Sequence, residues 1–139
     1  MKIDDTMALF IRRLDVKITN LMRTKMEPYQ IAPEQHLILR LLLERDGLTQ
    51  NEIAQQLEKD KTNVARMVSS LEKKGFIIRV TSTSDRRYVS VHISQKGRIL
   101  CEMVRPHLAE VNKQLQQGMT EEEKETLSRI LHKIYKNAT

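Results

Sequence analysis

The stretch from Thr49 to Gly97 constrains this chain more than any other, because it carries two helix starts, a helix stop and two runs of strand periodicity in one continuous segment. Thr49 is placed to cap a short helix over Gln50–Leu57, and Asp60 to cap a second over Lys61–Lys74 that stops at Gly75. In the second helix Val64, Met67, Val68 and Leu71 fall on one side, and Thr62, Arg66, Ser69 and Lys73 fall on the other at about 100° per residue. Ala54 is the small residue that lets two such helices cross closely, with Ile53, Leu57, Val64 and Met67 as apolar wedges around it. The pattern predicts a helix-turn-helix, although the turn Glu58-Lys59-Asp60 lacks the glycine often found there, and an ordinary helical hairpin satisfies much of the same spacing.

The residues after Gly75 favour the first reading. Phe76–Val80 is an apolar, β-branched run, and Tyr88–Ile93 alternates, with Val89, Val91 and Ile93 on one face and Tyr88, Ser90 and His92 on the other. The connection Thr81–Arg87 is polar and ends in paired arginines, so it can project guanidinium groups beyond the sheet. Beside a basic recognition-type helix, such a hairpin predicts a wing that reaches a phosphate or a minor groove.

The series Leu71-Glu72-Lys73-Lys74-Gly75-Phe76-Ile77-Ile78-Arg79, then Asp85-Arg86-Arg87, then Ser94-Gln95-Lys96-Gly97, resembles the MarR family of bacterial winged-helix transcription regulators. The resemblance extends over nearly the whole chain and includes a last helix beginning Met119-Thr120-Glu121-Glu122-Glu123. It implies a dimeric DNA-binding regulator, often a repressor, whose operator affinity is lowered by a small ligand, a metal or an oxidant. It also implies a pocket between the dimer helices and the winged module, whose lining the sequence leaves unassigned.

Charge distribution agrees. The formal charge of +6 decides little alone, but residues 49–98 carry ten Lys or Arg against five Asp or Glu, while the segments on either side are nearly neutral. The excess sits on the expected reading head. The start Met1-Lys2-Ile3-Asp4-Asp5 lacks an apolar signal region, and the most apolar run, Leu37–Leu43, is short and interrupted by Arg40. A cytoplasmic protein without a membrane partner is expected.

The flanking segments read as helices. Asp4–Lys25 carries an apolar seam of Met7, Ile11, Leu14, Ile18 and Leu21, and Glu34–Arg45 comes after a loop bracketed by Pro28 and Pro33. Leu48 is a candidate third strand. Ser94 can cap a helix to about Gln117 with Leu100, Val104, Leu108, Val111 and Leu115 along one stripe, and Pro106 predicts a kink or break near Val104–Arg105. Thr120 and Glu123 form a capping box for a last helix bearing Leu127, Ile130, Leu131 and Ile134. The expected architecture is mainly α with a small β-hairpin wing, an α+β winged helix-turn-helix over residues 28–98. It is flanked by dimerisation helices at residues 1–27 and 99–139, whose stripes are buried most economically against a second copy of the chain.

No catalytic constellation is visible: His36, His92, His107 and His132 are widely separated, no glycine-rich phosphate loop exists, and no nucleophile has a recognisable base beside it. No metal site and no cofactor are expected, since no ligand-spaced pair is evident, although His and Glu from distant helices can converge. The single cysteine, Cys101, excludes an internal disulfide framework and reads as a buried, inert thiol. Peroxide-sensing members of the family are expected to carry theirs near the chain start.

The function expected is a sequence-specific regulator of double-stranded DNA. It would be a homodimeric repressor on a roughly palindromic operator, with a possible small-molecule effector. Thr62, Asn63, Arg66 and Ser69 are the expected groove contacts, with Arg66 matched to a guanine edge. Lys61 and Lys73 are matched to phosphates, as are Thr49 and Gln50 at the start of the preceding helix, and Arg86 and Arg87 on the wing to phosphate or a narrow minor groove. Asp85 is an acceptor that can orient Arg86 or Arg87. The alternatives are a metal- or oxidant-responsive regulator of the same fold, and a winged-helix protein-interaction module that binds no DNA.

Overall fold

The computed structural model describes residues Met1–Thr139 and divides into two compact units, Met1–Leu108 and Ala109–Thr139. The first unit opens with α1 (Ile3–Met26), a short 3-10 turn at Glu27–Tyr29, and α2 (Pro33–Glu44). It continues with α3 (Gln50–Leu57), α4 (Lys61–Lys73), β1 (Ile77–Thr81), β2 (Val89–Ile93) and most of α5 (Gln95–Leu115). The second unit holds the end of α5 and α6 (Glu121–Asn137).

Each helix end has a local cause. Pro33 occupies the first position of α2, where its missing N–H costs nothing, so the helix begins one residue earlier than the sequence pattern alone suggests. At α3, Thr49 Oγ1 accepts from Glu52 N at 3.1 Å while Glu52 Oε1 accepts from Thr49 N at 3.1 Å, a complete capping box. Asp60 accepts from Asn63 N at 3.3 Å and caps α4. The stop is a Schellman turn: Gly75 lies at φ 83°, Gly75 N donates to Glu72 O and Phe76 N to Leu71 O, both at 3.0 Å.

β1 and β2 pair antiparallel, from Ile77 opposite Ile93 to Thr81 opposite Val89. Ile77, Val91 and Ile93 point into the core, while Ile78 and Val80 are exposed on the opposite face. Leu48 forms a single bridge to Val91, through Val91 N donating to Leu48 O at 2.7 Å. The third strand goes no further because the next residue, Thr49, already caps α3.

The core of the first unit joins Met26 of α1, Ile38, Leu39 and Leu42 of α2, Ile53 of α3, and Val64, Val68 and Leu71 of α4. Ile77, Val91 and Val104 complete it from the hairpin and α5. Burying each such side chain contributes roughly 1.5–3 kcal/mol, which fixes the helix-turn-helix and the hairpin as one body. α5 runs unbroken through Pro106. Pro106 and Glu102, four residues earlier, are both exposed, so the helical bond that Pro106 cannot donate is lost on the solvent side of α5 rather than over the core.

The junction between α4 and α5 is polar and tight. Ser94 Oγ donates to Gly75 O at 2.6 Å and accepts from Gly97 N at 3.1 Å, and Lys96 Nζ donates to Lys74 O at 2.7 Å. Lys74 Nζ in turn donates to Gln30 O at 2.6 Å, tying the end of α4 to the loop after α1. A Cβ at Gly97 would lie 2.3 Å from the Phe76 carbonyl oxygen.

Several apolar side chains remain uncovered. On α1, Leu9, Phe10, Leu14 and Val16 are 65, 44, 43 and 52% exposed. In the second unit, Thr120 and Glu123 form the capping box of α6, and Leu127, Ile130, Leu131 and Tyr135 stand exposed on that helix.

Candidate nucleic-acid interface

Burial of Val64, Val68 and Leu71 leaves the opposite face of α4 to solvent, and Lys61, Thr62, Asn63, Arg66 and Lys73 all lie there exposed. Arg66 Nη2 donates to Asn63 Oδ1 at 2.8 Å, so two of the expected groove contacts hold each other one turn apart. Ser69 differs from the rest. It is half-buried and accepts from Arg79 Nη2 at 2.7 Å.

Thr49 and Gln50 are half-buried at the start of α3. The Thr49 oxygen is engaged by the cap, accepting from Glu52 N. The Glu52 carboxyl is held below the usual range, chiefly by the Thr49 backbone N–H and then by its side chain, so the cap stays ionised.

The wing tip is organised by its own short polar side chains. Ser82 Oγ accepts from Ser84 N at 3.2 Å and Asp85 N at 3.3 Å, and Tyr88 N donates to Asp85 O at 3.0 Å. Asp85 Oδ1 then accepts from Arg87 N at 3.0 Å and from Arg87 Nε at 3.4 Å. Arg87 is thereby aimed while remaining 93% exposed. Arg86 is exposed beside it.

Two further residues belong to this region that sequence reasoning does not single out as site residues. Asp46 Oδ1 accepts from Ile93 N at 2.9 Å, and its Oδ2 lies 3.4 Å from His92 Nδ1, which anchors the root of the hairpin. Arg79, on the inner face of β1, meets both Ser69 and the Glu72 carboxylate, the latter at 3.5 Å. Strand alternation carries the signal for Arg79, since it shares the inward face with Ile77; the signal for Asp46 lies only in three-dimensional proximity. An open groove of about 480 Å³ runs between Thr49, Gln50 and Asn51 on one side and Arg79, Arg87 and Tyr88 on the other. A second, of about 500 Å³, is lined by Lys59, Asn63, Arg66 and Met67 of the helix-turn-helix with Glu34 and Gln35 of α2.

The remaining titratable groups of interest lie elsewhere. Tyr29 Oη and His107 Nε2 are 2.8 Å apart, linking the turn after α1 to α5. Burial, reinforced by the Arg40 charge, lowers the His36 pKa to about 4. Cys101 is buried at 5% exposure, and burial pushes its thiol above the ordinary value, which disfavours the reactive thiolate. No three His, Cys, Asp or Glu side chains group closely enough to hold a metal ion, and no helix is long and apolar enough to cross a membrane.

Comparison with known proteins gives the same picture. The family model described as MarR family matches residues 31–89. An uncharacterized HTH-type transcriptional regulator of Bacillus subtilis, YybA, is 30% identical over 103 residues, spanning 74% of this chain and 69% of the relative. The HTH-type transcriptional repressor MdtR of the same organism is 29% identical over 126 residues, spanning 91% of this chain and 81% of its own. Among solved structures, S. aureus MepR in complex with DNA superposes with a TM-score of 0.86 at 27% identity, covering 94% of this chain and 96% of that one. With the helix-turn-helix, the capped wing and the flanking helices all in place, the chain belongs to the MarR family of winged-helix, DNA-binding transcription regulators.

Proposed function

We propose that this protein is a homodimeric repressor that holds α4 in the major groove of a roughly palindromic operator, and that a small-molecule effector releases it. The observation that carries the reading is the pairing of an exposed polar face, Lys61 to Arg66 on α4, with an arginine wing on the same compact unit. Thr62, Asn63 and Arg66 read base edges; Lys61, Lys73, Thr49, Gln50, Arg86 and Arg87 meet phosphate or a minor groove. Ser69 reaches DNA only if Arg79 lets it go.

Residues 28–98 act as the DNA-binding region, and residues 1–27 and 99–139 supply the dimer contacts through the exposed apolar residues of α1 and α6. The protein works in the cytoplasm without catalysing a reaction. MepR was solved on DNA and MdtR is named a repressor, and both support this reading of a related chain.

Recovering genomic fragments bound by the purified protein and footprinting the strongest tests the proposal. Protection of two half-sites about one helical turn apart is expected. Binding that does not distinguish genomic from random duplex at moderate salt would overturn it.

A further inference from the structure

The tip of the wing has little behind it. β1 and β2 form a sheet of two strands whose root is held to the body by the buried Val91 and Ile93, by the Leu48–Val91 bridge with Gly47 N donating to Val91 O, and by the Asp46 anchor. Towards the tip from Val91, an open groove lies between the hairpin and the start of α3. Arg79 lines that groove and turns to α4. It lies on the inner face of β1 opposite Val91, and its guanidinium meets two α4 side chains three residues apart, Ser69 at 2.7 Å and Glu72 at 3.5 Å. Its Nε is buried with no hydrogen bond of its own, so the Glu72 carboxylate is what compensates it.

We propose that Arg79 is a positioning residue that fixes the angle between the wing and the recognition helix, with Ser69 and Glu72 as its seats on α4. A planar guanidinium gripping one helix at two points restrains rotation as well as distance, which a single contact to a lysine cannot do. The inference rests on the proposed DNA reading only for its consequence: a wing held at one angle lets Arg87 arrive at DNA in register with Arg66.

The test measures the angle first, without DNA. Nitroxides on Thr83→Cys at the wing tip and Gln56→Cys on α3, in a Cys101→Ser background diluted with unlabelled chain, report the wing-to-body distance by pulsed electron resonance. A narrow distribution is expected with Arg79, a broad one with Arg79→Met or with Ser69→Ala and Glu72→Gln together, and an intermediate one with Arg79→Lys. Circular dichroism melts of the same chains show whether the fold is intact, and Arg79→Lys keeps the test open if Arg79→Met does not fold. An equally narrow distribution in all folded variants overturns the proposal.

A salt titration supplies the second reading. Arg86→Ala and Arg87→Ala should each flatten the log affinity against log salt slope by about one unit for every phosphate ligand removed. With both wing arginines already replaced, Arg79→Met should change the slope no further. An additional flattening of about one unit there makes Arg79 a phosphate ligand and overturns the positioning role. If the distance broadens as expected but the wing variants leave the slope unchanged, the tether stands and the wing's part in the DNA reading fails.

Discussion

Arg66 reaches back along α4 to the side-chain oxygen of Asn63 at 2.8 Å, so the two exposed groups best shaped for base edges are already held relative to one another. One guanidinium nitrogen is used in that bond, and the other donors remain free for a bidentate contact to guanine, while the Asn63 amide N–H groups stay available for an acceptor. Arg66→Ala should therefore cost about 1–3 kcal/mol on operator DNA and relax preference at one position per half-site. Arg66→Lys should restore little, because a point charge cannot make the paired contact. Competition between operator and scrambled duplex measures both; equal losses on the two would remove Arg66 from base reading.

The wing gives a prediction whose sign runs against net charge. Asp85→Ala removes a negative charge near DNA, which alone should raise affinity. It also removes the acceptor that aims Arg87 through bonds of 3.0 and 3.4 Å. Because Arg87 is almost fully exposed, losing its orientation should dominate, and affinity should fall by up to about fivefold, the worth of an exposed ion pair. Fluorescence anisotropy at constant salt checks the direction. An increase would show that Arg87 needs no guide.

His36 makes stability depend on pH. Its pKa is about 4 in the fold, lowered from 6.5 by burial and then by the Arg40 charge. Below pH 6.5 the unfolded chain takes up a proton that the folded chain refuses, so the contribution is fully present above that pH and is lost as pH falls towards 4. The expected loss is on the order of 2–3 kcal/mol by pH 4. Urea melts between pH 7 and 4 measure it, and a His36→Leu chain should show a flatter profile. Equal pH dependence in the two chains would place its origin elsewhere.

Deleting residues 1–20 removes most of the exposed apolar side chains of α1. The truncated chain should be monomeric or insoluble, and operator affinity should collapse because two weakly held half-sites lose their linkage. Sedimentation velocity decides the assembly state. A folded, truncated chain that remains dimeric would show that α1 is dispensable for the interface.

Cys101→Ser should leave DNA binding and its regulation nearly unchanged, and mild peroxide should leave the parent protein on DNA, because burial keeps the thiol protonated. Gel shifts with and without peroxide test this. Release of the parent but not of the serine variant would make Cys101 an oxidant sensor.

The helix-turn-helix is legible in the sequence because its cues are local: Thr49, Asp60 and Gly75 each act within four residues, and the alternation of Val89, Val91 and Ile93 marks β2 without reference to anything distant. The junction motif is recognisable as a pattern, but its meaning is not, since Lys74 meets a carbonyl 44 residues away and Lys96 one 22 residues away. Ser69 illustrates the limit. Helical periodicity places it correctly beside Arg66 and Lys73, yet whether that side is open depends on Arg79, ten residues on and in another element. Pro106 illustrates the reverse, since a residue that ordinarily breaks helices sits on the exposed side of α5, which passes through it unbroken.

Gly97 gives the junction a manufacturing tolerance of nearly zero. Because even a methyl group there would stand 2.3 Å from the Phe76 carbonyl and 2.8 Å from Ile93 Cγ1, accommodating one requires backbone to move, not a flexible side-chain tip. The shift would fall where the recognition helix, the hairpin and α5 meet, so it would misalign all three together instead of softening any one of them. This hinge of three elements is a keystone defined by an absence of atoms.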